Sequence, residues 1–224
     1  MKFLSSILLT VIFFSSGLSL AEELRFDDLF VLSEAERSTY TVDSIKKLDQ
    51  EGLDILYAQL EAGALPNADY SGTVIFDSSE SNEIERILAI ISPTGFLESL
   101  IKKLGVSLWK KKIFDPANRS MTNRILLLKQ YPAHMYCGIS LVDTRRESII
   151  LDYNFADSLP SYVPLVDWAM GRTGLAVRDE IRMVRPGLYL GRAYLRGTFA
   201  LNFVLEQKGF KETKDSWTNF CTND

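Results

Sequence analysis

A guanidinium and a phenol on one face of a strand make a receptor for a carboxylate, and Arg192-Ala193-Tyr194 supplies such a pair. Residues two apart in a strand point the same way. Leu188, Leu190, Arg192 and Tyr194 therefore share one face, and Tyr189, Gly191, Ala193 and Leu195 share the other. Arg192 would grip both carboxylate oxygens and Tyr194 would add its hydroxyl. The alternative is that both look outward from a solvated strand. Asp152 stands among Ile149, Ile150, Leu151 and Tyr153. If it lies inside it needs a cation, and Arg192 is the expected partner, either as part of a site or as a structural ion pair.

Arg178, Glu180, Arg182 and Val184 alternate with Asp179, Ile181, Met183 and Arg185. The second set has the more apolar middle and is expected to face the core. Glu180 and Arg182 would then be exposed, where ion pairs contribute little. With the opposite parity they would form a charged cluster with Arg192. The chain has one histidine, His134, and two cysteines, Cys137 and Cys221. That set is too small for a zinc site, which takes three or four ligands, and no metal is expected. No Gly-x-Ser-x-Gly elbow is present, since Gly138-Ile139-Ser140-Leu141-Val142 lacks the last glycine. No glycine-rich phosphate loop is present either, and no cofactor is expected. An enzyme would have to draw on Asp152, Glu180 or His134. Asn123 and Asn202 are further polar candidates. Lys110, Lys111 and Lys112 beside Trp109 read as a solvated strand edge, with anionic headgroups or a partner as the alternative.

The elements that must position these residues are mostly strands. Alternation and turn residues predict them over 69–77, 107–114, 122–129, 133–143, 147–154, 177–185, 188–195 and 198–207. Breaks fall at Pro186-Gly187 and Arg196-Gly197. One apolar stripe, Ile45, Leu48, Leu53, Leu56 and Leu60, predicts a helix from Asp43 to Ala62. A helical insertion is expected over 83–104. Short links favour antiparallel neighbours. Eight such strands predict a mainly β (α+β) fold: an eight-stranded antiparallel up-and-down barrel with an N-terminal helix and a helical insertion after the first strand. A barrel of that size fills with side chains or holds one small ligand.

Residues 1–21 read as a signal peptide. Lys2 precedes an apolar run, and Ser19-Leu20-Ala21 offers small residues before Glu22. The expected location is exported, periplasmic or secreted. The domains are then 22–66, an N-terminal helical segment; 67–208, the barrel; and 209–224, a tail anchored by Trp217 and Phe220. The formal charge of −4 becomes −5 when Lys2 is removed, which argues against nucleic acid. In an exported chain Cys137 and Cys221 suggest a disulfide, with two separate thiols as the alternative. Asn118-Arg119-Ser120 is a glycosylation triplet, relevant only in a eukaryotic secretory pathway.

Strand count, export signal and helical excursion over about 67–207 resemble the calycin-type barrels, the lipocalins and their relatives. Gly72 is followed by Thr73 and Val74 where lipocalins carry Gly-x-Trp. Asp179-Glu180-Ile181-Arg182 through Pro186-Gly187-Leu188-Tyr189-Leu190-Gly191 is similar to a phrase of uncharacterised bacterial proteins. The Arg192-x-Tyr194 pair is similar to one used by intracellular fatty-acid-binding barrels. The resemblance implies an exported, non-enzymatic barrel binding a small apolar or amphipathic ligand such as a fatty acid. Arg192, Tyr194 and Asp152 are its polar candidates, and Tyr153, Trp109 and Phe76 its aromatic ones. The competing readings are a barrel-mouth enzyme and a filled interaction module whose helix serves a partner.

Overall fold

A computed structural model of the chain describes residues 29–75, 111–125, 128–217 and 221. The expected signal peptide, the helical insertion at 83–104, Phe76, Trp109 and Phe220 lie outside the described residues. Eight strands close into one antiparallel barrel, β1 pairing with β8. They are β1 Ala68–Ile75, β2 Lys111–Asp115, β3 Ser120–Ile125, β4 Leu128–Ile139, β5 Glu147–Asp152, β6 Val177–Arg185, β7 Leu188–Leu195 and β8 Thr198–Glu206. The predicted fold class is the observed one. The β6–β7 turn has Gly187 at φ 77°, and the β7–β8 turn has Arg196 at φ 51° and Gly197 at φ 79°. Two successive positive φ values twist a hairpin the way its strands twist.

The β3–β4 hairpin differs from expectation. The chain does not break around Pro132: β3 ends at Ile125, and β4 begins at Leu128 and runs through Pro132. Thr122 pairs with Pro132 and Asn123 with Gln130, so Tyr131 is an extra residue in a bulge. Proline has no N–H to give the ladder, and a bulge is where a strand tolerates it. Tyr131 takes φ 53° there.

The single helix expected from Asp43 to Ala62 is also two pieces. They are α2, Val42–Ile45, and α3, Gln50–Ala58, preceded by α1, Glu34–Ser38. The break comes where Asp49 turns back to cap α3, accepting from Gly52 N at 2.8 Å. The apolar stripe itself is preserved. Ile45, Leu53, Leu56, Tyr57 and Leu60 pack on Val184, Leu188, Leu190 and Val204, on the outer wall of β6–β8. The helical segment thus covers its own barrel and does not offer that face to a partner. None of the described helices is long and apolar enough to cross a membrane.

Inside the barrel, the inward residues of all eight strands join one cluster, among them Tyr70, Phe114, Met135, Leu151, Ile181 and Phe203. Gly191 is needed on β7 because a Cβ there would stand 2.3 Å from the Phe203 ring. The end of the barrel where β6 meets β7 is crossed by the chain leading into β1. Glu61 bridges to Met183, and Tyr189 Oη donates to Ala64 O at 2.7 Å. Gly63, at φ 72°, passes so close to Met183 that a Cβ would meet it at 2.4 Å. The other end is covered by the connection 153–176, whose Ala169, Met170 and Leu175 join the interior cluster.

Cys137 on β4 and Cys221 are joined in a disulfide, with Cα atoms 5.8 Å apart and a sequence separation of 84. Closing a loop of that length restricts the unfolded chain by on the order of 4 kcal/mol in the chain-entropy view. Denatured, unreduced protein should therefore show no free thiol. Cys221→Ser should lower the melting temperature by several degrees. Two titratable thiols, or a variant that melts like the parent, would contradict the bridge.

Candidate functional site

β6 places Asp179 on the inner wall together with Ile181 and Met183, as its alternation predicts. The neighbouring inward positions carry the groups that receive it. β2 alternates so that Lys112 and Phe114 face in, while Lys111 faces out to Asp69 at 2.7 Å. Lys112 stands opposite Asn123 of β3 in the register. Tyr153, just beyond β5, continues the inward face of Ile149 and Leu151. All four converge near the end of the barrel that the 153–176 connection covers.

Lys112 Nζ donates to Tyr153 Oη at 2.8 Å, to Asn123 Oδ1 at 3.0 Å and to Asp179 Oδ2 at 3.1 Å. Asn123 Nδ2 donates to Tyr131 O at 3.0 Å and to Tyr153 Oη at 3.1 Å. Tyr153 Oη donates to Asp179 Oδ2 at 3.3 Å. The ammonium also stands 5.5 Å from the Tyr153 ring centre and 5.7 Å from that of Phe203. Lys112 and Asp179 are both 0% exposed. One atom is left over: Asp179 Oδ1 is buried and has no hydrogen-bond partner.

Burial sets the electrostatics. Desolvation pushes Lys112 down and Asp179 up, each toward its neutral form, and their mutual attraction opposes both movements. Tyr153 is pushed well above its ordinary value, first by desolvation and then by the Asp179 charge. An ion pair in such a place is held by its remaining hydrogen bonds more than by Coulomb attraction alone.

The Tyr131 bulge ties this cluster to the cover. Its carbonyl takes the Asn123 amide, and its N–H, freed from the ladder, donates to Asp167 Oδ1 at 2.8 Å. Asp167 ends the short helix α4, Pro164–Asp167, and its other oxygen accepts from Val163 N at 2.6 Å.

The residues singled out from sequence are distributed differently. Tyr153 is inside. Arg192 and Tyr194 are on the outer wall, yet buried, beneath the N-terminal helices. Arg192 pairs with Asp54 of α3, donates to Tyr194 Oη at 3.1 Å and lies 4.2 Å from the Phe199 ring centre. The expected Arg192–Asp152 pair does not form, because β6 lies between their strands. The register aligns Asp152 with Arg178 and Arg192 with Glu180. Asp152 instead accepts from Tyr136 Oη at 3.1 Å and from Asn154 N at 2.8 Å.

Glu180 and Arg182 face outward as expected but are not exposed; each is 0% exposed. Glu180 accepts from Ser140 Oγ at 2.7 Å and from Arg178 Nε at 2.9 Å. Arg182 donates to Ser148 Oγ, Asp143 Oδ2, Tyr57 O and Arg146 O at 3.0–3.1 Å. Strand alternation reports which face a residue takes, not whether a second layer covers that face.

His134 borders a surface pocket of about 320 Å³ with Arg119, Tyr136, Asp152 and Phe155. Its Nε2 stands 2.7 Å from Ser158 Oγ and 3.2 Å from Phe155 O. With the proton on Nε2 the ring donates to Phe155 O and Ser158 Oγ; with the proton on Nδ1, Ser158 Oγ donates to Nε2. Ser158 Oγ also stands 3.1 Å from Phe155 O, to which it can donate. Asp152, engaged with Tyr136 and Asn154, does not orient the ring. Among the described residues no three His, Cys, Asp or Glu side chains group as metal ligands.

No protein-family model matches the chain, and no curated protein matches it. Among solved structures it is similar to the crystal structure of a protein from Thermomonospora curvata, at 14% identity and a TM-score of 0.45, over 79% of this chain and 99% of that one. A likeness of that size carries no argument about function.

Lys112→Met should leave Asp179 as an uncompensated buried acid and lower stability by roughly 3–5 kcal/mol. Adding Asp179→Leu should recover much of that loss. Urea unfolding of the single and double variants decides it: equal loss in both would mean the two residues do not act as a pair.

Burial raises seven of the nine tyrosines above their ordinary value: Tyr57, Tyr131, Tyr136, Tyr153, Tyr189, Tyr194, and Tyr70 to about 12. Above pH about 10 the unfolded chain releases phenol protons that the folded chain still holds. Their contribution is therefore complete below pH about 10 and is lost as pH rises through the folded values. Phenolate absorbance should appear mainly in one step together with loss of circular dichroism. A smooth titration near pH 10 with the fold retained would refute it.

Proposed function

We propose that this chain is an exported, calycin-like barrel that binds a small apolar or amphipathic ligand, whose polar end is received by Lys112, Asn123, Tyr153 and Asp179. The observation that carries the reading is the buried carboxylate oxygen left without a partner in an otherwise saturated polar cluster. Native structures satisfy nearly all such groups, and each exception calls for an explanation; of the three such atoms among the described residues, this one lies inside the barrel. The apolar wall around the cluster suits a tail, since ligand sites are mostly apolar with a few placed polar groups. The connection 153–176 also exposes apolar side chains at the same end of the barrel, Leu165 at 90% and Trp168 at 40%. Export rests on the Lys2-to-Ala21 pattern in the sequence.

A second reading has its own support. Tyr70, Met135, Tyr189 and Phe203 all point inward and are buried, and side chains of that size can fill an eight-stranded barrel by themselves. The chain would then be a structural or interaction module.

Native mass spectrometry of exported protein separates the two. The N-terminus should be Glu22, and part of the protein should carry a small-molecule adduct. Lys112→Met combined with Asp179→Leu, the pair change that keeps the fold, should lose the adduct, and Arg192→Leu should keep it, since Arg192 serves the outer wall. Full-length protein in the cytosol would refute export. A protein without adduct that also fails to take up an apolar dye would favour the filled barrel.

A further inference from the structure

The hydrogen-bond inventory of the inner cluster restricts what can bind there. A lysine ammonium has three N–H groups, and those of Lys112 meet Asn123, Tyr153 and Asp179. The two N–H groups of Asn123 meet Tyr131 O and Tyr153 Oη. The Tyr153 hydroxyl proton meets Asp179 Oδ2. Every side-chain donor of the cluster thus has a partner. What is left over is an acceptor, Asp179 Oδ1, on a residue that is 0% exposed.

Resting on the ligand-binding reading above, we propose that the ligand's polar end is a neutral hydrogen-bond donor, a hydroxyl or an amide N–H, received by Asp179 Oδ1, and not a carboxylate. A carboxylate has only acceptors to offer an acceptor, and it would bring a second negative charge against Asp179. An ammonium would meet Asp179 but would stand beside Lys112, whose nitrogen is 3.1 Å from the same carboxylate. A hydroxyl satisfies the orphaned oxygen without adding a charge to a place where charge is costly. Sites that hydrogen-bond a ligand hydroxyl discriminate strongly, because the wrong ligand leaves their own groups unpaired.

The test uses the mature protein at pH 8 with Nile red as a neutral apolar probe. Decanol, decanoate and decylammonium compete for it, so the tail is constant and only the head changes. Decanol should displace the probe at least tenfold more tightly than either ion. Asp179→Asn removes the charge that repels a carboxylate and leaves Lys112 without its counter-ion, so it should move the decanol-to-decanoate ratio at least tenfold toward decanoate. Decanoate or decylammonium binding as tightly as decanol in the parent protein would overturn the neutral-donor inference and leave the ligand-binding reading intact. Preference for decanol that Asp179→Asn does not alter would overturn the assignment to Asp179. If Nile red does not bind, or no competitor displaces it, the ligand-binding reading itself fails. The parent protein's selectivity decides the matter even if Asp179→Asn folds poorly.

Discussion

The constraint on which the rest depends is that the β6–β8 wall is buried on both faces. Arg182 is its centre. A guanidinium taken fully out of water needs acceptors, and Arg182 uses all three of its nitrogens to donate to Tyr57 O from α3, Asp143 and Arg146 O from the β4–β5 connection, and Ser148 on β5. Its guanidinium also lies 4.6 Å from the Tyr57 ring centre. Three separate pieces of chain are thus held at one point. Removing any of them would leave a buried charge short of acceptors, which costs far more than a hydrogen bond gains. The N-terminal helices are in this sense part of the barrel domain. Arg192 with Asp54 repeats the arrangement along the same helix, and Asn202 Nδ2 donates to Gln50 at 2.8 Å, although Asn202 Oδ1 is left without a partner.

β6 therefore carries polar clusters on both sides. Glu180 and Arg182 face the helices, and Asp179 faces the interior. The two differ in completeness. On the outer side, Glu180 receives Ser140, Leu141 N and Arg178, so both its oxygens are used. On the inner side, one oxygen of Asp179 has none. A saturated buried network is an ordinary device for fixing one packing arrangement. An unsaturated one next to an apolar wall has an acceptor still to be met. Asn202 Oδ1 on the outer wall and Arg37 Nε are also buried without a partner, so what distinguishes the inner cluster is that its orphaned oxygen belongs to a fully buried ion pair inside the barrel.

Much of the architecture could be read from sequence because it depends on local rules. Pro186-Gly187 and Arg196-Gly197 mark two-residue hairpins, and alternation along Val177 to Arg185 put Asp179, Ile181 and Met183 on the core face. The site was less legible. Lys112 sits in a run of three lysines and reads as solvated edge. Yet it is two residues from Phe114, so the same parity rule that turned Asp179 inward turns Lys112 inward as well. A core-facing acid demands a cation, and matching the two strands would have found it. Arg192 and Tyr194 do share a face, but the face is the outer one. Their burial comes from helices some 140 residues earlier in the chain, a long-range cover that strand periodicity cannot report. Tyr131 escapes notice for a different reason: Pro132 reads as a strand break, and a bulge places the same residue inside a strand.

That bulge joins the site to its cover. In a regular ladder the Tyr131 N–H and C=O would pair with β3. Because the residue adopts a left-handed conformation, at φ 53°, both are redirected. The C=O holds the Asn123 amide, which fixes the side chain that accepts from Lys112. The N–H holds Asp167, which fixes the short helix of the cover. Moving the cover off β4 would leave a buried N–H and a buried carboxylate oxygen unpaired, at a cost of about 1–3 kcal/mol for each group. The closed arrangement is favoured by the same residue that orders the polar cluster. A guest entering beneath the cover would have to compensate that loss with its own contacts, and the unsatisfied oxygen of Asp179 is the contact the cluster has left to give.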